Sequence, residues 1–119
     1  MLMFCGFDLQ LVVEVVVNRS DGLKVCGGRD FTNRQWLVVQ VDDDPARLAW
    51  LCAPVSDRAL QAVVSGRTPP MDAVRHSQTG TVELVTVDHG RAVPEQCLLC
   101  SGIPEDLLHP SDWGLAAAA

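Results

Sequence analysis

Cys97-Leu98-Leu99-Cys100 places two thiols two residues apart, the spacing at which a pair of thiolates grips one zinc ion. His89 and His109 are the imidazoles that complete a four-ligand set in that reading. The pattern is half of a zinc site: no second Cys-x-x-Cys exists, and the two leucines between the thiols are core-type residues. It also lacks the βαβ setting of a thioredoxin-type redox pair. The expected state of these thiols is therefore burial as small apolar groups, with zinc or thiol-redox chemistry at Cys97 and Cys100 as the alternative. Cys5, Cys26 and Cys52 bring the cysteines to 5, an odd number that describes no disulfide framework.

Other polar groups fall short of a reaction centre. Asp42-Asp43-Asp44 supplies carboxylates for magnesium or calcium, but such sites need more ligands and no calcium-loop spacing follows, so a solvated strand-end turn is expected. Asp88 and His89 are sequence neighbours, which point apart in a strand. Ser65-Gly66 is not a nucleophile elbow, and Cys52 lies inside an apolar run. Gly27-Gly28-Arg29 lacks the ending of a phosphate loop and reads as a turn. No catalytic residue and no cofactor other than the alternative zinc is assigned, and a non-enzymatic role is expected. Trp36 and Trp50 begin or occupy strands and belong in a core. Trp113 stands apart from any core pattern, either docked on its own domain or free to anchor a partner.

Charge narrows the partners. Nine Lys and Arg against 15 Asp and Glu give a formal charge of -6. Lys24 is the only lysine, and the arginines are spread from Arg19 to Arg91 without a run. A phosphate-reading or anionic-membrane surface needs cations gathered on one face, so neither nucleic acid nor a membrane is the expected partner. The longest apolar stretch, 9–17, is broken by Gln10 and Glu14 and falls short of the ~20 residues of a spanning helix. With no signal-peptide pattern at the start, a cytoplasmic location is expected.

The 119 residues suit one domain, with a core over about 8–108 and a tail over 109–119. Residues 9–17 alternate, setting Leu11, Val13, Val15 and Val17 on one strand face and Gln10, Val12, Glu14 and Val16 on the other. A turn at Asp21-Gly22 leads to a return strand over 23–26, ended by Gly27-Gly28. Strands follow over 36–41, stopped by the aspartates and Pro45, and over 48–53. Ser56 caps a helix over 56–65, with Asp57 in its first turn, and Gly66 ends it. A short helix over Pro70 to His76, capped by Thr68, precedes a strand over 80–87. Beyond Arg91 the pattern weakens, Pro94 and Pro104 break it, and one helical turn is expected over 104–108. The last four alanines are set aside. Strands not regularly alternated with helices describe an α+β fold, a mainly antiparallel sheet of about five or six strands.

The middle of the chain carries a resemblance. Trp36-Leu-Val-Val-Gln-Val-Asp42-Asp-Asp, Trp50-Leu-Cys-Ala-Pro54-Val-Ser, Ser65-Gly66 and Asp72-Ala73 resemble a family of small bacterial, actinobacterial-type domains of unknown function. The resemblance covers about 31–90 and departs at Cys97–Cys100. It implies a β-rich domain with helices between strands and transfers no catalytic residue.

The expected role is a non-enzymatic protein-interaction, accessory or regulatory module, acting on a protein partner or within a homo-oligomer. Val12 and Val16, opposite the main apolar stripe of the first strand, and Trp113 are its candidate contacts. If the helices cover only one face of the sheet, the other face is the interface.

Overall fold

The computed structural model describes residues 2–18, 24–44 and 46–103. The Asp21-Gly22 turn, Pro45, the expected helical turn at 104–108, His109, Trp113 and the terminal alanines lie outside the described residues. Seven strands run in chain order across one antiparallel sheet. They are β1 (Met3–Cys5), β2 (Gln10–Asn18), β3 (Lys24–Arg29), β4 (Gln35–Asp44), β5 (Arg47–Pro54), β6 (Thr81–Asp88) and β7 (Arg91–Leu99). Helices α1 (Asp57–Val64) and α2 (Pro70–Arg75) lie between β5 and β6.

The α+β class is as expected, but the sheet has seven strands. Strand β1 is too short to show a period, and it starts the sheet ahead of the expected core. Strand β7 contains Pro94, which reads as a strand breaker. Here β7 is an edge, and Pro94 falls in a bulge: Leu84 pairs with Gln96 and Thr86 with Val93, so Pro94 and Glu95 stand against Val85 alone. Two expected strand ends are also overturned. Strand β3 continues through Gly27 and Gly28, because the sheet needs bare backbone there: a side chain on Gly27 would meet Leu60 of α1 at 2.8 Å, and one on Gly28 would strike the carbonyl oxygen of Val12. Strand β4 runs on to Asp44, paired with Arg47, because a bulge at Val41 lets it turn outward while keeping its partner β5.

Helix α1 ends where the residues say it should. Ser56 Oγ accepts from Ala59 N at 3.1 Å, and Gly66 takes a φ of +80° past the last turn. Helix α2 starts without the expected Thr68 cap. The Thr68 N–H donates instead to Ala62 O at 3.1 Å, closing the end of α1, and Pro69 precedes the first turn.

Both helices lie on the same side of the sheet. Leu60, Val63, Ala73 and Val74 pack onto Val25, Leu37, Val39, Leu51, Ala53 and Val82 to form the larger core. The other face carries a smaller cluster of Leu11, Val38, Cys52 and Val85, edged by Phe4, Leu9, Cys26, Trp36 and Trp50. Bulges in β2, β4 and β7 increase the twist, and the sheet curls into a half-barrel. The curl brings the β1–β2 turn to the far edge: Glu95 of β7 accepts from Asp8 N at 2.8 Å and Leu9 N at 3.2 Å.

Candidate functional site

The face without helices carries the features that invite a ligand. Its geometry starts in β2. Val13 pairs with Gly28 and Val15 with Gly27, leaving Glu14 as the extra residue of a bulge. One extra residue switches the faces. Leu11 joins the smaller cluster, while Val15 and Val17 pack on the helix-side core. The expected common stripe of Leu11, Val13, Val15 and Val17 is thus split in two. Val12 and Val16 are split likewise: Val16 pairs with Cys26 on the uncovered face, and Val12, between Leu11 and Val13, turns to the helix side.

One cross-strand row spans the uncovered face, running Val16, Cys26, Val38, Cys52, Glu83 and Cys97 through successive partners. At its first end the surface opens into a recess of about 350 Å³ whose walls include Phe4, Val13, Val16, Cys26, Val38 and Trp50. The Phe4 and Trp50 rings meet edge to face, with centroids 5.5 Å apart and planes at 79°. Strand β1, the three-residue edge strand beside β2, borders the recess with Met3 and Phe4. Leu2, Met3 and Val16 remain 61, 48 and 52% exposed at its edge, apolar side chains gathered at one cavity. Burial pushes the Cys26 thiol up to about 11 and holds the Cys52 thiol well above its ordinary range. Cys26 is thus a protonated group of the recess wall and Cys52 a buried core thiol, and neither has the lowered thiol pKa of a nucleophile.

Lys24 is the charged residue lining this recess. Gln40 stands beside it: Gln40 follows Val39, whose partner is Val25, and pairs on its other side with Trp50. It is 7% exposed, and its side-chain amide makes no hydrogen bond among the described residues. A buried amide without a partner costs ~1–3 kcal/mol and calls for an explanation.

At the other end of the row Asp8, Leu9, Trp36, Glu83 and Glu95 surround a second cleft, of about 310 Å³. Burial raises the Glu95 carboxyl, but the backbone N–H groups of Asp8 and Leu9 outweigh it, and the net direction is down. Glu83 goes the other way. Burial raises it first, the charges of Glu95 and Asp8 add to that, and a hydrogen bond with Cys97 offsets part. Trp36 is held by its indole N–H, which donates to Asp30 Oδ2 at 2.9 Å. Asp30 also accepts from Thr32 N and Arg34 N, fixing the turn on which Phe31 stands 94% exposed.

The thiols proposed as zinc ligands are not gathered. Cys97 sits opposite Glu83 on the uncovered face, whereas Cys100, past the end of β7, reaches the helix side, near Val74 O at 3.6 Å and Ser77 Oγ at 3.4 Å. His89 lies in the β6–β7 turn, where a φ of 50° brings its ring 3.6 Å from Asp88, against the expectation that these neighbours point apart. Among the described residues no three of His, Cys, Asp and Glu form a group able to hold a metal ion. No described helix is long and apolar enough to cross a membrane.

The residues that matter most here are Lys24, Gln40, Phe4 and Phe31, none of which sequence reasoning singled out. Only Lys24 left a signal, as the sole lysine of the chain. Comparison of the chain with protein-family models, with curated proteins and with solved structures gives no match.

Proposed function

We propose that this chain is a non-enzymatic binding module, an accessory or regulatory part of a larger system, whose working surface is the sheet face that the helices leave uncovered. The observation that carries the reading is the recess of about 350 Å³ floored by Val38 and Trp50 and ringed by half-exposed Leu2, Met3 and Val16. Its size lies in the roughly 300–1,000 Å³ range of small-molecule sites, and its walls are apolar with few polar groups, as such sites require. An equal exposure of apolar side chains scattered singly would mean nothing; here they adjoin one cavity.

A neutral solvatochromic dye tests it. Blue-shifted emission should saturate at one dye per chain, and Val16→Glu should weaken binding about tenfold or more while leaving the thermal midpoint unchanged. Absence of dye binding, or binding indifferent to Val16→Glu, would overturn the reading.

A second reading, contact with a protein partner or another copy of the chain, rests on Phe31. An aromatic ring fully displayed on a turn braced by Asp30 loses little entropy on docking. Concentration-dependent sedimentation that Phe31→Ser abolishes would support the homotypic form, and a strict monomer would remove it.

A further inference from the structure

We infer that the recess binds a free medium-chain fatty acid, its alkyl chain against Phe4, Val38 and Trp50 and its carboxylate at Lys24, on the side of the recess where Gln40 neighbours that lysine. This inference rests on the reading of the recess as a binding site and adds the chemistry of its occupant.

Three observations converge on that chemistry. The interior of the recess is mainly apolar: Phe4, Val13, Cys26, Val38 and Trp50 offer a ligand body chiefly dispersion and hydrophobic contact. A sugar, nucleotide or peptide backbone would lose its hydrogen bonds to water there without replacement. An alkyl chain loses none.

Charge then sets the head. The chain carries -6 overall, yet the one lysine it has lines this cavity, and among the described residues no carboxylate pairs with it. An ammonium beside an apolar wall is strongly hydrated and flexible, able to lean to an anion at the opening. A cationic amphiphile would meet repulsion at that point, and a neutral one would leave the ammonium idle.

Gln40 supplies the third observation. It lies on the same face as Val38 and Trp50, next to Lys24, with its amide buried and unpartnered among the described residues. The amide NH₂ offers two donors, and a carboxylate accepts at either oxygen. An anionic head at Lys24 would lie beside the Gln40 amide, which is unpaired among the described residues although Gln40 does not itself line the recess. Size agrees: at about 30 Å³ for each water-sized group, the cavity holds on the order of ten heavy atoms, a chain near decanoate in length.

The probe is sodium decanoate below its micellar concentration, titrated into the full chain by calorimetry, with decanol and decylammonium as head-group controls. Decanoate should bind one per chain and at least tenfold tighter than decylammonium. From hexanoate to decanoate, affinity should rise about three- to fourfold per methylene. Lys24→Met should erase most of the preference of decanoate over decanol while leaving decanol binding intact; Gln40→Met should do so in part. Val13→Trp, which fills the cavity, should abolish binding of every alkyl probe. Since Lys24 is exposed, its replacement does not threaten the fold. If decanol binds and decanoate shows no advantage, or an advantage that Lys24→Met leaves unchanged, the fatty-acid inference is wrong and the apolar site stands. If no alkyl probe and no dye binds, the binding-module reading itself falls.

Discussion

On the helix side of the sheet, Leu37, Leu51 and Val74 are wholly buried beneath or within two helices, and apolar residue meets apolar residue from β3 to β6. On the other side a row begins at half-exposed Val16, passes through Cys26, Val38 and fully buried Cys52, and ends on Glu83 and Cys97. The strands are the same; the cover differs. One face is closed by its own chain and gives the domain its stability. The other is closed only over its middle, by the β1–β2 turn reaching across to Glu95, and stays open at both ends. A sheet that spends one face on folding and keeps the other partly wet has a place to bind something.

This division breaks most directly at the core leucines. Leu51→Ala should cost about 3 kcal/mol, because the helices pinned on β5 cannot collapse into the gap. Val16→Ala should cost less than ~0.5 kcal/mol, as at an exposed site. Urea melts of the two variants check it; equal losses would mean that both faces bear the fold alike.

The two glycines of β3 sharpen the contrast. A methyl group at Gly28 runs into the Val12 carbonyl, which is backbone and cannot rotate away, so Gly28→Ala should cost about 2–3 kcal/mol and loosen the β2–β3 pairing. At Gly27 the obstacle is the end of the Leu60 side chain, at 2.8 Å. Leu60 can shift, so Gly27→Ala should cost about 1 kcal/mol and show as faster amide exchange in α1. A reversed order would place the tighter constraint on the helix side.

Helix α1 and the central strands are legible in the residues because each is specified locally. Ser56, Asp57 and Gly66 mark the helix ends, β-branched runs mark β2 and β4, and an apolar run ended by Pro54 marks β5. What fails to be legible is set by contacts between distant segments. The bulge at Glu14 changes which valines face the helices, and simple alternation gives no sign of it. Strand β7 survives Pro94 because it is an edge strand and bulges there, setting Pro94 and Glu95 against Val85 alone. Gly27-Gly28 resembles a turn until Leu60 and Val12 are seen lying on it. The recess is less legible still, since Phe4, Lys24, Val38 and Trp50 come from four strands with no common spacing. Cys97 and Cys100 show the converse: a recognisable spacing that the end of β7 divides between two sides.

The closure of the uncovered face depends on Glu95. Its carboxylate holds the N–H groups of Asp8 and Leu9, so Glu95→Gln should cost about 1 kcal/mol, discounted for its exposure, and free the β1–β2 turn. Because its pKa in the folded chain is lowered, this contribution is present above the ordinary carboxylate pKa and fades as pH falls through the lowered value. Denaturation from pH 7 to pH 3 should show the wild type losing its advantage over Glu95→Gln at the acid end. A difference that persists unchanged at low pH would assign the effect to packing instead.

The smallest effect is expected at Glu83, and its sign is opposite. Burial, then the charges of Glu95 and Asp8, raise its folded pKa. A carboxyl with a raised folded pKa adds stability below its unfolded pKa and loses that contribution as pH rises through the folded one. At neutral pH, Glu83 is therefore a charge the fold tolerates at a cost. Glu83→Gln keeps the shape and removes the charge, and should stabilise the chain at pH 7 by well under about 1 kcal/mol, since the group is only partly buried and solvent screens it. The gain should fade as pH is lowered from 7 toward 4 and the native carboxyl takes up its proton. Paired thermal melts at the two pH values read this directly, and destabilisation at pH 7 would show the acidic end of the row to be built around that charge.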